Sequence, residues 1–223
     1  MKKLYNIFEK QSRNHKNGTD PKLRIAKTEP TPNYDWRENM KIKNLFKHIA
    51  LVTKHKWVVF KLCCKIGIPW RGFWHDLSKF SPEELCESIK YYNGIKSPIS
   101  VCKKEKGYSK AWLHHKGRNK HHHEYWVDTS LPEKAVIMPY KYAAEMVCDK
   151  LAAGITYNGK NWTKETQLNY YINNERNVSI IHPQIDKFLM AIFTDVSKDG
   201  LEQTLTKQNI KKYYEKYCIR MEK

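Results

Sequence analysis

Lys43–Ile66 reads KNLFKHIALVTKHKWVVFKLCCKI, and the fold class follows from where its apolar positions fall. Leu45, His48, Val52, His55, Val59, Leu62 and Ile66 recur at alternating steps of three and four residues. At 3.6 residues per turn, that rhythm puts them on one side of a helix. The stretch is therefore predicted to be a helix with this stripe toward the core, ended at Gly67 with Pro69 just beyond. Two members of the stripe are histidines separated by two turns, so both imidazoles project from the same side.

Downstream, Trp70–Trp74 forms a short segment leading into His75-Asp76-Leu77-Ser78-Lys79-Phe80. Ser81-Pro82-Glu83-Glu84 then announces another helix, with Ser81 as N-cap, Pro82 at the first helical position and Glu84 as the reciprocal partner of a capping box. It should run through Tyr91 or Tyr92 and stop at Asn93-Gly94. Further helices are predicted over Tyr108–Lys116, closed by Gly117; from Pro139 through Ala153, ended by Gly154 and carrying Asp149; over Thr163–Asn173; from about Pro183 to Ser197; and, rich in lysine, from about Leu205. Arg118–Tyr125 reads as irregular. Alternating strand patterns are scarce and no repeat period stands out, so the chain reads as all-α.

Upstream, residues Met1 to about Met40 mix lysine, asparagine and proline, and Pro21, Pro30 and Pro32 forbid a long helix across them. This is a basic extension in which Leu4, Tyr5, Ile7 and Phe8 can form a short amphipathic turn that docks on the body.

At 223 residues the chain suffices for one ordinary domain with a substantial core. Its six cysteines lack C-x-x-C spacing and read as reduced thiols. The start Met1-Lys2-Lys3 imitates a signal peptide, but Asn6, Glu9 and Lys10 interrupt the apolar run that should follow. No apolar stretch reaches the roughly 20 residues of a membrane span, so a cytoplasmic protein with no membrane partner is expected. The formal net charge of +18 predicts attraction to polyanions or anionic small molecules, weakening with salt. Nucleic acid, phosphorylated metabolites and an acidic protein all satisfy it, as does a diffuse lysine coat that serves solubility.

Chemistry concentrates in two places. Imidazole nitrogen and carboxylate oxygen suit zinc, manganese, iron, cobalt or nickel, and His75-Asp76 at a helix boundary can reach one ion together. His48 or His55 would add a ligand from the preceding helix. The alternative for each is a core histidine bonded to backbone. Burying several such rings without partners would be costly, however, which favours a shared ion. The second concentration, Trp112 to Trp126, holds His114, His115, His121, His122 and His123 beside Arg118 and Asn119. It can supply a second metal, a general acid or phosphate contacts, against the alternative of a histidine-rich surface loop.

His48 or His55, then His75-Asp76, then Asp149 is similar in order and spacing to the H…HD…D arrangement of the HD superfamily of metal-dependent phosphohydrolases. More closely, His55-Lys56-Trp57, His75-Asp76-Leu77-Ser78-Lys79-Phe80, His115…Arg118-Asn119…His121-His122…Trp126 and Glu145-Met146…Asp149 resemble an uncharacterised family of bacterial and phage proteins over about Asn44–Pro183. The resemblance implies a helical bundle holding one or two divalent ions, with His75 and Asp76 as ligands and Asp149 closing the shell. It leaves His48 and His55 as alternatives for the upstream ligand. It also implies His115 and His122 as candidates for a second ion or for proton transfer, and Lys79 as the residue that meets substrate phosphate, with Arg118, Asn119 and His121 nearby. On this basis residues 1–40 are a basic extension, 41–200 an HD-like metal-binding domain and 201–223 a basic C-terminal helix.

The expected activity is hydrolysis of a phosphorylated small molecule or nucleotide by metal-activated water. Its rivals are a nucleic-acid or polyanion binder and a non-catalytic metal protein. Against the first rival, Trp57, Trp74 and Trp112 are expected to pack in the core, and no nucleic-acid motif appears. Walker and Rossmann phosphate loops and the G-x-S-x-G elbow are also absent.

Overall fold

A computed structural model describes residues 42–219. The expected N-terminal extension and its amphipathic turn lie outside the described residues, as do the last four residues. The described chain is helical, with no strand beyond one isolated bridge between Val127 and Ala135.

Helix α1, Ile42–Lys65, carries the stripe read from the sequence. Val52, His55, Val59, Leu62 and Ile66 are all buried, and each large aliphatic member contributes roughly 1.5–3 kcal/mol by leaving water. Gly67 ends the helix with φ +77, the left-handed conformation that glycine adopts without steric cost. The segment expected as a simple connection is a helix of its own, α2 (Pro69–Trp74), begun by the proline. It lies against α1 because Gly72 permits it. A Cβ there would stand 2.8 Å from the Phe60 backbone and 2.7 Å from Cys63 Cβ. We expect Gly72→Ala to cost about 1–3 kcal/mol in chemical denaturation, through overpacking.

The next helices are α3 (Pro82–Tyr91), α4 (Pro98–Lys106) and α5 (Lys110–Arg118). Helix α4 was not expected from the sequence, although Pro98 at its start and Gly107 in left-handed conformation at its end are ordinary signals. Ser81 takes the N-cap backbone position of α3, but its side chain makes no capping bond, and the Glu84 side chain turns inward to His114 and His115. Helix α5 runs through Gly117, which has no positive φ, to Arg118.

Helix α6, Tyr140–Asn158, passes Gly154 and stops at Gly159. A Cβ at Gly154 would meet Gln167 Oε1 at 3.0 Å, so this glycine serves close packing and not termination. The predicted Thr163–Asn173 element is a short α7 (Thr166–Tyr170) followed by a π turn, Tyr171–Glu175. Helices α8 (Pro183–Asp199), α9 (Leu201–Thr204) and α10 (Lys207–Tyr214) complete the described chain, α10 passing into a second π turn, Glu215–Ile219.

One apolar core joins α1, α6, α8 and the C-terminal segment, with Val59, Leu151, Phe188, Phe193, Leu205 and Ile210 fully enclosed. The C-terminal helix is thus packed into the same core as the rest. Two of the tryptophans expected in the core are outside it: Trp57 is 58% exposed and Trp74 59%, while Trp112 is half-buried. Trp57 stands two residues past His55, about 200° around the helix from the buried stripe. All six cysteines are free thiols. No helix among the described residues is long and apolar enough to cross a membrane.

Candidate metal centre

The cluster is organised around a backbone irregularity. Asp76 adopts φ +52, one of only two positive values on non-glycine residues among those described. Such a conformation costs free energy for a side-chain-bearing residue and persists where the surroundings impose it. The turn follows α2 directly and lets the adjacent side chains of His75 and Asp76 enter the same buried space, each about 1% exposed.

Two sets of ligand atoms meet at Asp76. His55, His75, Asp76 and Asp149 form one, and Asp76, His115, His121 and His122 the other; within each set the ligand atoms lie within 4.8 Å of one another. On the first flank His75 Nε2 is 3.4 Å from Asp76 Oδ2 and 3.4 Å from Asp149 Oδ1, and His55 Nε2 is 3.0 Å from Asp149 Oδ1. On the second, His115 Nε2 and His121 Nε2 stand 3.4 and 3.3 Å from Asp76 Oδ1. A third grouping, His75, His121 and Glu145, lies behind both.

The hydrogen bonds decide which way the imidazoles face. His75 Nδ1–H donates to Glu145 Oε1 at 3.1 Å, and His121 Nδ1 lies 3.3 Å from the same oxygen. His115 Nδ1–H donates to Glu84 Oε2 at 2.7 Å, while His114 donates to Oε1 at 2.8 Å. A carboxylate on Nδ1 fixes the tautomer that leaves the Nε2 lone pair free, the usual arrangement behind a metal-bound histidine. Nε2 of His75, His115, His121 and His122 and Oδ1 of Asp76 are all buried with no hydrogen-bond partner. Unpaired buried polar atoms are costly, and imidazole nitrogens gathered in this way on the two flanks of Asp76 fit cations better than any internal bond.

Charge points the same way. Asp76, Asp149, Glu84 and Glu145 bring four carboxylates into the cluster. Two cations pair with them directly: Lys79, 2.7 Å from Asp76 Oδ2, and Arg71, whose Nε donates to Glu145 Oε2 at 2.7 Å with a second bond from its terminal nitrogen. The remaining negative charge favours protons or a divalent ion. Burial alone would depress His75, yet Asp76, Asp149 and Glu145 together push it up to about 10. Glu145, despite burial, is held down to about 2 by His121 and His75.

Of the upstream alternatives, the structure brings His55 to the cluster. His48 stands a further two turns along α1, edge-on to Tyr92 with ring centroids 5.7 Å apart, outside every ligand grouping. Its pKa is lowered to about 4 by burial and then by the charge of Lys79. His121, expected to meet substrate, faces Asp76 as part of the second flank. Asn119 Nδ2 donates to Ser78 Oγ and to the His115 carbonyl, both at 2.8 Å, and so ties α5 to the turn after Asp76. Arg118 is exposed and lines neither cavity described below.

Sequence reasoning gave no role to Glu145, Arg71 or Lys56 and assigned Glu84 to a cap. The Lys56 ammonium donates to the Phe73 carbonyl at 3.2 Å and to the His75 carbonyl, pinning the end of α2. Glu145 had one visible signal: it precedes Asp149 by four residues, so the two share a helix face.

Two cavities adjoin the cluster. One of about 200 Å³ is lined by His55, Lys79, His115, His122 and Asp149. The other, about 1110 Å³, shares His122, Asp149, Trp112 and Tyr157 with it and extends past Lys103 and Lys150.

Fold and cluster together define an all-helical protein whose buried histidines and carboxylates can hold a metal ion. The chain belongs to DUF5662, a family of unknown function, whose model matches residues 44–195 and so covers every member of the cluster. No curated protein and no solved structure matches it.

Proposed function

We propose that the chain is a metal-dependent phosphohydrolase of the HD type, acting on a phosphorylated small molecule or nucleotide. The observation that carries this reading is Asp76, whose two oxygens face two separate sets of ligand atoms beside a cavity. His55, His75, Asp76 and Asp149 would hold one ion, and His115, His121 and His122, with the other Asp76 oxygen, a second. Ions so held would supply Lewis acidity, lowering the pKa of water and stabilising charge on phosphoryl oxygens.

The residues around them do the rest. Lys79 lines the smaller cavity and stays protonated: burial opposes its charge, but Asp76 raises its pKa above the ordinary lysine value. It is placed to bind a phosphoryl oxygen entering beside Asp76. His122 lines both cavities, and burial, followed by the charges of His121 and His115, holds it neutral. The larger cavity has room for the organic part of a nucleotide-sized substrate.

The test is metal analysis of untagged protein, then a screen of nucleotides and simple phosphoesters with added manganese, nickel or cobalt. Turnover should disappear on chelation, return with metal and fail in Asp76→Asn. Hydrolysis that survives chelation and Asp76→Asn would end this reading, as would a metal-loaded protein inert toward every phosphoester tried.

A further inference from the structure

Exposed aromatic rings stand on α2 and on the side of α1 turned away from its buried stripe. Trp70 is 73% exposed, Phe73 53%, Trp74 59% and Trp57 58%. These four large apolar side chains come from two packed helices, and soluble proteins seldom gather so much unless it meets something. The rings are held, not loose. Trp57 stacks on Phe60 with centroids 5.7 Å apart, and α2 is seated on α1 through Gly72. The Lys56 ammonium fastens the Phe73 and His75 carbonyls to α1.

Charge specifies the partner. Residues 39–75 contain seven lysines, one arginine and no aspartate or glutamate. Lys54 and Lys61, both exposed, flank Trp57 at the helical spacings i−3 and i+4. A second copy of the chain would bring like charge to this face, and so would the basic segment that precedes α1. An anionic surface would not.

Ring geometry separates the anionic candidates. Bases of single-stranded nucleic acid need open aromatic faces to stack on. Here Phe73 crosses Trp70 at 82° and Trp74 at 89°, so adjacent rings are nearly perpendicular and offer no run of parallel platforms for successive bases. Crossed, exposed rings on a segment rich in lysine suit the interface of an anionic bilayer, where tryptophan partitions between headgroups and chains and each nearby cation adds attraction. We propose that the α1–α2 face docks the protein on anionic phospholipid. This revises the expectation of no membrane partner, which considered only spanning helices; contact at the interface needs none. The proposal does not depend on the phosphohydrolase reading.

The full chain would be sedimented with vesicles of phosphatidylcholine alone and of phosphatidylcholine with phosphatidylglycerol, and its tryptophan fluorescence followed with brominated acyl chains. We expect binding only to the anionic vesicles, weakening with salt, with quenching by the brominated lipid. Trp70→Ala with Phe73→Ala should reduce binding at least tenfold. Lys54→Glu with Lys61→Glu should do the same, and keeps the test valid should the aromatic pair fail to fold. Absence of anionic-vesicle binding, or binding unchanged in both folded variants, would overturn the proposal. So would the same substitutions abolishing binding to single-stranded DNA in a chain that ignores vesicles.

Discussion

On one flank of Asp76 the ligand atoms come from His55, His75 and Asp149, spread over three elements and more than ninety residues. On the other, His115, His121 and His122 lie within eight consecutive residues. The first flank is built by packing: a buried helix stripe, a left-handed turn and the central helix must all seat correctly before its atoms meet. The second is dense in sequence and is aimed from outside by carboxylates, Glu84 behind His115 and Glu145 beside His121. Behind both stands Glu145, bonded to His75 and beside His121, itself clamped by Arg71. The flanks are therefore joined twice, by Asp76 in front and Glu145 behind.

The largest break in this comparison is Asp76→Asn, which keeps a residue tolerant of the left-handed backbone and removes the charge both flanks share. Bound manganese after desalting should fall to near zero on both flanks together. Retention of one full equivalent would mean that Asp76 serves one flank only. Next comes Glu145→Gln. Loss of a carboxylate behind metal-binding histidines typically weakens affinity about 10–100-fold, and here calorimetric titration should show both flanks weakened in parallel. Glu84→Gln should produce a loss of similar kind confined to the second flank, whereas Asp149→Asn should remove the first and spare the other. If all three variants gave the same titration curve, the division into flanks would be wrong.

The smallest effect is expected from His48→Gln, which should leave metal content unchanged. It should alter the acid side of the stability profile. A histidine whose pKa is near 6.5 unfolded and about 4 folded binds its proton more readily when unfolded, so native stability is full above 6.5 and falls as pH drops toward 4. Removing the histidine should flatten that limb in denaturation measured between those values. A metal deficit in this variant would return His48 to the site.

Much of this was legible in the residues. The three-and-four rhythm from Leu45 to Ile66 defines α1 and its buried side, because a helix has only one way to bury that stripe. Pro82 and Pro183 mark where helices begin, since proline fits the first turn and little else of a helix. The adjacency of His75 and Asp76 and the crowding of histidines after Trp112 single out the chemistry, because imidazoles gathered with carboxylates have few purely structural uses. The same reading put Trp57 and Trp74 inside: aromatic size argues for burial, while the angle around the helix, which sends Trp57 outward, was not weighed.

What only the tertiary structure decided concerns partners far apart in sequence. Two histidines on one stripe of α1 are equivalent until α6 lies across one of them and Tyr92 across the other, which brings Asp149 to His55 and leaves His48 aside. Glu84 satisfies a capping pattern equally well, until α5 brings two imidazoles within hydrogen-bond distance while the Ser81 amide that a capping Glu84 would serve donates to the Ser78 carbonyl instead. Local sequence sets which groups can bond; which of them do is set by the packing that removes water and by the distances it imposes.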